Sequence, residues 1–176
     1  MMTLVLGEFA NAGDLDLSWG EFAFLKVDHL SNGELKLWLN ATIPADDAKG
    51  TVPTYRFDMR VGEQVVGGIR FRAGWNRDVE LYAGNIGYNV DPEFRGRRFA
   101  ERACKLLIPL AMAHGFDGFW ITCDPDNFAS QATCERLGAV LVDTVKLPEH
   151  LDMYRDGERE KCRYWLVLPV SENVVT

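Results

Sequence analysis

The residues best suited to chemistry lie together at Arg95-Gly96-Arg97-Arg98-Phe99-Ala100, where a strand-like run hands over to a helix-like one. Backbone N–H groups at a helix start have no intrahelical partners, and the helix dipole adds partial positive charge there. Three arginines beside those donors make an anion site, and phosphate is the anion that fits it best. Gly96 lets the backbone approach a ligand closely. A solvated basic face is the competing reading, and the strand-to-helix junction favours phosphate.

The elements that must hold this loop can be read on either side of it. Upstream, Tyr55, Phe57, Met59 and Val61 alternate with Thr54, Arg56, Asp58 and Arg60, as in a half-buried strand. Gly62-Glu63 is a tight turn, and Val65 to Arg72 resumes as a second strand. Val79 to Val90 reads as a third strand with a bend at Ala83-Gly84, completing an antiparallel meander. Downstream, Ala100, Ala103, Cys104, Leu107, Leu110 and Ala111 show the spacing of a helix laid on a sheet, from about Phe99 to His114. Phe119 to Cys123 is an apolar run that fits a strand buried on both faces. Asp126-Asn127 can cap a helix from about Phe128 to Leu137, closed by Gly138. Val140 to Val145 and Cys162 to Leu168 read as strands, with the polar Leu147–Glu160 stretch as an excursion and Ser171–Thr176 as a tail. At the other end, Thr3 to Leu6 reads as a strand. Apolar residues at mixed spacing from Leu15 to Leu39 read as partly helical, broken around Ser31-Asn32-Gly33.

Composition fits one soluble α+β domain over residues 1–176. The start lacks a basic n-region and a small-residue cleavage site, and no apolar run approaches a membrane span, so a cytoplasmic protein off the membrane is the expectation. The four cysteines form no Cys-x-x-Cys pair and the three histidines show no ligand spacing, so neither a disulfide frame nor a metal site is expected. A net charge of −7 argues against nucleic-acid binding and is compatible with a cationic small substrate.

In three places the chain resembles the GCN5-related N-acetyltransferase (GNAT) superfamily, over roughly Pro53 to Leu168. Asn85 to Gly96 looks like that family's fourth strand and its approach to the pyrophosphate loop. Arg95-Gly96-Arg97-Arg98-Phe99-Ala100 looks like its Q/R-x-x-G-x-G/A pattern. Asp126-Asn127-Phe128-Ala129-Ser130, ending at Leu137-Gly138-Ala139, looks like its Asn-x-x-Ser helix. The resemblance implies a mixed α/β sandwich of the GNAT-like acyl-CoA N-acyltransferase type: a central, mostly antiparallel sheet with helices on both faces. Residues 53–168 form the core and residues 1–52 a variable acceptor-side segment. It implies acetyl-CoA as co-substrate, with the pyrophosphate over Arg95, Gly96, Arg97, Arg98, Phe99 and Ala100. The backbone of Tyr88, Asn89 and Val90 would pair with the pantetheine amides, and Asn127 and Ser130 would line the same channel.

The chain departs from the family pattern at three positions. Arg98 replaces a glycine; pointing outward it could reach the 3′-phosphate, and pointing inward it would obstruct the site. Cys134 stands where many members carry a proton-donating tyrosine, so either its thiol protonates the leaving thiolate or Cys134 is a core residue and water does so. The usual base position falls near Gly84 or Asn85, neither of which has a carboxylate. Glu80 and Asp91 are the nearest acids, and Glu80 is the candidate if the strand bends at Gly84, against a solvated surface acid there and a water chain in its place. The resemblance therefore implies an acetyl-CoA-dependent N-acetyltransferase acting on a primary amine of a small molecule or a peptide by direct attack. The alternative is a CoA-binding or sensory protein of the same fold with little catalysis. A homodimer through a sheet edge such as Cys162 to Leu168 is also an expectation.

Overall fold

In the computed structural model, which describes residues 22–169, period-two alternation shapes most of the chain. Strand β1 (His29–Asn32) turns at Gly33 into β2 (Leu35–Ile43), which buries Leu35 and Leu37 and exposes Lys36, Trp38 and Asn40. Strands β3 (Thr54–Val61) and β4 (Gln64–Arg72) bury Tyr55, Phe57, Met59, Ile69 and Phe71 on the same face. Strand β5 (Ile86–Val90) closes the meander against β4. After helix α1 (Phe99–Ala113) come β6 (Gly118–Cys123), α2 (Phe128–Leu137), β7 (Val140–Lys146), the short α3 (Asp152–Arg155) and β8 (Glu160–Val167). The strands form one sheet in the order β1-β2-β3-β4-β5-β6-β8-β7, antiparallel except where β5 meets β6.

The long helices share one face of that sheet. Helix α1 buries Phe99, Ala103, Cys104, Leu107 and Ala111 against the strand residues named above, and α2 adds Cys134 to the same core. On the opposite face a π-helical turn, Val79–Ala83, covers β6 and β8. Thr122 Oγ1 donates to the Tyr82 carbonyl at 2.8 Å and Arg163 Nη1 to that of Glu80 at 3.2 Å, fixing the turn in place. Over β2 to β5, this second face presents polar side chains, among them Asn40, Arg56, Asp58, Arg70 and Asn89.

Three expectations need correction. The Leu15–Leu39 stretch, where described, is extended rather than helical: pairing of Leu35 to Leu39 with β3 satisfies the backbone and buries alternate leucines. The Val79–Val90 run is not one bent strand, because its first five residues wind into the π-helical turn and Gly84, at φ 65°, reverses the chain. A Cβ at Gly84 would lie 3.0 Å from the Trp120 carbonyl, so the close approach to β6 needs glycine. The Cys162–Leu168 segment is not a sheet edge, since β8 lies between β6 and β7 and the edges are β1 and β7. The Thr3–Leu6 and Ser171–Thr176 readings, with Leu15 and Trp19, fall outside the described residues. Among the described residues no helix is long and apolar enough to cross a membrane.

Candidate functional site

The parallel contact between β5 and β6 is a single register pair, Ile86 with Ile121. Asn85, fully buried, sits at the root of the divergence beyond it. Its Oδ1 accepts from the Trp120 N–H at 3.0 Å, and its Nδ2 donates to the carbonyls of Arg72 at 3.1 Å and Gly74 at 3.3 Å. One side chain thus ties β4, β5 and β6 together at the last point where all three are close. Past it the strands splay, which opens a slot through the sheet.

The backbone polarity of β5 follows from its ladder. Asn85 accepts from Arg72 N–H on β4, and Asp91 N–H donates to the Val66 carbonyl. Alternation then turns the backbone groups of Tyr88 and Val90 away from β4 and into the slot. The Val90 carbonyl meets Arg95 there, whose Nε donates to it at 3.1 Å.

The arginine loop behaves as a helix start left open. A 3₁₀ turn (Pro92–Phe94) leads into Gly96 at φ 81° and then Arg98 at φ 57°. Arg98 is the only described non-glycine residue in the left-handed region, which costs roughly 1–2 kcal/mol. It is the N-cap of α1, and no side chain caps the helix there, so the first N–H groups stay free to face an anion. They face a cleft of about 610 Å³ lined by Tyr88, Asn89, Val90, Arg95, Gly96, Arg98, Phe99, Ala100, Asn127 and Ser130. Ten of the eleven residues expected to hold the co-substrate are therefore brought together. The eleventh, Arg97, is not among them; its guanidinium lies 5.9 Å over the Phe94 ring.

Helix α2 forms the opposite wall. Asn127 caps it, with Oδ1 accepting from the Ser130 N–H at 3.1 Å, which leaves the amide nitrogen as a donor. Ala129, Ser130, Ala132, Thr133 and Arg136 then face the cleft at helical spacing, and the small residues leave its width free. Arg136 was missed from the sequence. Its Nε is held at 3.0 Å by Glu101 Oε2, while Lys105 lies 2.8 Å from Glu101 Oε1. Those cations, Lys105 first, hold the Glu101 carboxyl below the usual range.

A second cavity, of about 320 Å³, adjoins the first at Tyr88, Asn127 and Ser130. It passes through the slot to the opposite face, where Arg72, Tyr82, Gly87, Thr122, Asp124 and Lys161 line it. At the junction the Tyr88 hydroxyl lies 2.7 Å from Ser130 Oγ. Burial raises the Tyr88 phenol, so it stays protonated. Sequence reasoning used only the backbone of Tyr88; that its ring crosses to α2 is a tertiary fact.

The two expected catalytic side chains lie elsewhere. Cys134 is fully buried in the core, lines neither cavity, and burial pushes its thiol up to about 12. Glu80 is exposed on the π-helical turn and also lines neither cavity, because the turn rotates it away from β5. The carboxylate that does line the second cavity is Asp124, at 2.7 Å from the buried Lys161 ammonium, which Glu158 also holds. Among the described residues no group of His, Cys, Asp and Glu side chains is placed to hold a metal ion.

Residues 12–140 match the model of the acetyltransferase (GNAT) domain family. No curated protein matches the chain by sequence. Among solved structures the fold is similar to the microcin C7 self-immunity acetyltransferase MccE in complex with acetyl-CoA and AMP, at 23% identity and a TM-score of 0.51. That match covers 65% of this chain, which spans 61% of MccE. It is also similar to the Salmonella typhimurium acetyltransferase that modifies the N-terminal serine of ribosomal protein L7/L12, at 22% identity, TM-score 0.52, covering 69% of this chain and 67% of that one. The L7/L12 α-N-protein acetyltransferase RimL in complex with coenzyme A aligns at 16% identity, TM-score 0.59, over 80% of this chain and 98% of that one. At these identities the structures establish the fold, an eight-stranded, mostly antiparallel sheet with helices, and the family match extends over most of the sequence: the chain belongs to the GNAT acetyltransferase domain family.

Proposed function

We propose that this protein is an acetyl-CoA-dependent N-acetyltransferase that moves an acetyl group to a primary amine of a small molecule or a peptide. The observation that carries this reading is the continuity of the two cavities. An uncapped helix start with Arg95, Arg98 and Arg136 lies at one end, and a slot carrying the free backbone groups of β5 lies at the other. The donor set fits the co-substrate in order: N–H groups and guanidinium for phosphates, strand edge for pantetheine amides, slot for the thioester.

Acetyl-CoA would supply an activated acetyl thioester, and the protein's residues would position and polarise it. The N–H groups of Tyr88 and Val90, aimed into the slot, suit the thioester oxygen as an oxyanion hole does. Arg95 would exchange the Val90 carbonyl for a phosphate, which frees that carbonyl for a pantetheine N–H. The amine would enter through the second cavity and attack the carbonyl carbon; a C–N bond forms and the C–S bond breaks. Asp124, which lines the second cavity where Glu80 does not, would hold the incoming ammonium and take up its proton, with Lys161 fixing the carboxylate. The Tyr88 hydroxyl, 2.7 Å from Ser130 Oγ where the two cavities join, would donate to the departing sulfur, and Cys134 would serve as packing. A homodimer through a sheet edge would use β7, where Val140, Leu141 and Val142 are half or more exposed.

Isothermal titration with acetyl-CoA is the test. One-to-one binding at micromolar affinity is expected, together with thiol release on addition of amines. Absence of binding at millimolar acetyl-CoA would sink the proposal.

A further inference from the structure

The second cavity opens on the sheet face that the long helices leave bare, and the charge there is opposite to that of the whole chain. On that face β3 contributes Arg56, and β4 contributes Arg70 and Arg72, in a protein of net charge −7. Arg56 and Arg70 are direct cross-strand partners. Like charges in that position are destabilising, and neither guanidinium forms a salt bridge with a described carboxylate. Asp58, the one acid in the same rows, is taken by Arg60 Nη2 at 3.2 Å and Asn40 Nδ2 at 2.9 Å.

Arg72 is the strongest member of the group. It follows Arg70 by two residues on the same face and lines the cavity at the slot. Its Nη1 is pinned by the carbonyls of Ala83 at 3.1 Å and Gly84 at 3.0 Å, which orients the group without neutralising it. Burial, and then the charge of Arg70, lower it to about 10, so the cation sits where an anion would be welcomed. At Gly87 the second cavity adjoins a small cavity of about 80 Å³ lined by Arg56, Arg70, Asn40, Asn89 and the already paired Asp58, and the two together form a groove along the arginines. Over Gly68 lies the Asn89 amide oxygen and over Gly87 the Arg70 stem, each within 3.6 Å of where a Cβ would stand, so the two glycines let these side chains lie close to the sheet. Gly87 borders both cavities, with the Arg70 side chain lying over it.

We propose that the acceptor is anionic: it carries carboxylate or phosphate groups within roughly 10 Å of its reacting amine, a span of two or three strand residues, and these lie on Arg72, Arg70 and Arg56. This rests on reading the slot as the site of acetyl transfer. It reverses the expectation, drawn from overall acidity, of a cationic substrate.

The experiment compares acceptor peptides identical except at residues two to four, which are acidic, phosphoserine, amide or arginine, by thiol release from acetyl-CoA with the full chain. Acidic or phosphorylated acceptors should show kcat/KM about tenfold or more above the amide peptide, the advantage shrinking as salt is raised. The better of these two arms names the anion. The exposed pair Arg56→Gln/Arg70→Gln should erase the preference and leave the KM for acetyl-CoA unchanged. Thiol release that is as fast with amide or arginine peptides would overturn the inference and leave the acetyltransferase reading standing. If acetyl-CoA binds but no peptide is turned over, fluorescence anisotropy of the labelled acidic peptide with coenzyme A present decides. Binding lost in the double variant supports the anionic groove, and binding absent or unchanged removes it. Failure of acetyl-CoA itself to bind strikes the parent reading, and the anisotropy arm still reports on the groove.

Discussion

Under the proposed mechanism Tyr88 would carry two functions that the sequence assigned to separate residues. Its backbone faces the slot as part of β5, and its hydroxyl meets Ser130 where the two cavities join. A phenol raised by burial does not ionise near neutrality, so in the proposed mechanism it would serve as a hydrogen-bond donor to developing negative charge on sulfur. Tyr88→Phe removes that donor and keeps the ring that packs beneath α2. The expected result is a fall in kcat of about 10²-fold with the KM for acetyl-CoA changed little, measured by steady-state thiol release. An equal loss in Cys134→Ala, with Tyr88→Phe unaffected, would return the role to the thiol. The arginine loop was legible because an anion site at a helix start is local in sequence. Tyr88 with Ser130, Arg136 on the cleft wall and Asp124 beside Lys161 are tertiary pairings between different elements, and no spacing in the chain encodes them.

Among the elements, what positions all these groups is the divergence of β5 from β6, and Asn85 fixes where it begins. Its side chain makes three hydrogen bonds to backbone groups of β4, β6 and the loop after β4, all in a fully buried setting. Asn85→Ala leaves the Trp120 N–H and the Arg72 and Gly74 carbonyls short of partners. The cost should be about 2–4 kcal/mol, seen as a lowered midpoint in chemical denaturation. Affinity for acetyl-CoA should fall as well, since the slot edge is no longer set. A variant with wild-type stability and affinity would show that β5 is held by its β4 ladder alone. Asn85 read in sequence only as a missing carboxylate, because a buried amide is recognisable only once its neighbours are known. The same limit explains the elements that were misread. The β3–β4 hairpin and the α1–β6–α2 succession announce themselves by period two and period 3.6. The β1–β2 hairpin mixes alternation with a bulge between Leu39 and Ala41, and the Val79–Ala83 turn carries a strand-like composition that packing on β6 overrides.

At the scale of the whole molecule, residues 22–28, ahead of β1, pack on the core and are fastened there in part through a titratable group. Tyr55 Oη accepts from the Leu25 N–H at 2.7 Å and lies 2.7 Å from His114 Nε2 at the end of α1. The phenol, pushed up to about 12 by burial, stays protonated and donates to the imidazole, which must then be neutral at Nε2. Phe22 stacks on the same imidazole at 5.0 Å, so chain entry, β3 and the α1 terminus meet at this ring. Burial lowers His114 to about 4 in the folded protein against about 6.5 for an unperturbed imidazole. Between those values the unfolded chain binds a proton that the folded one refuses, so stability falls as pH drops through that window. It is unaffected above it, and the loss levels off below pH 4. The ring is part exposed, so solvent screening reduces the full linkage value. A decrease in melting temperature of roughly 2–4 °C from pH 7 to pH 5 is expected to be attributable to this group. His114→Gln keeps a side-chain acceptor for Tyr55 without a titrating group, and its melting curve should be flatter over the same interval. Equal slopes for wild type and variant would show that protonation of His114 is not coupled to unfolding, and that the clamp on the N-terminal segment tolerates the charge.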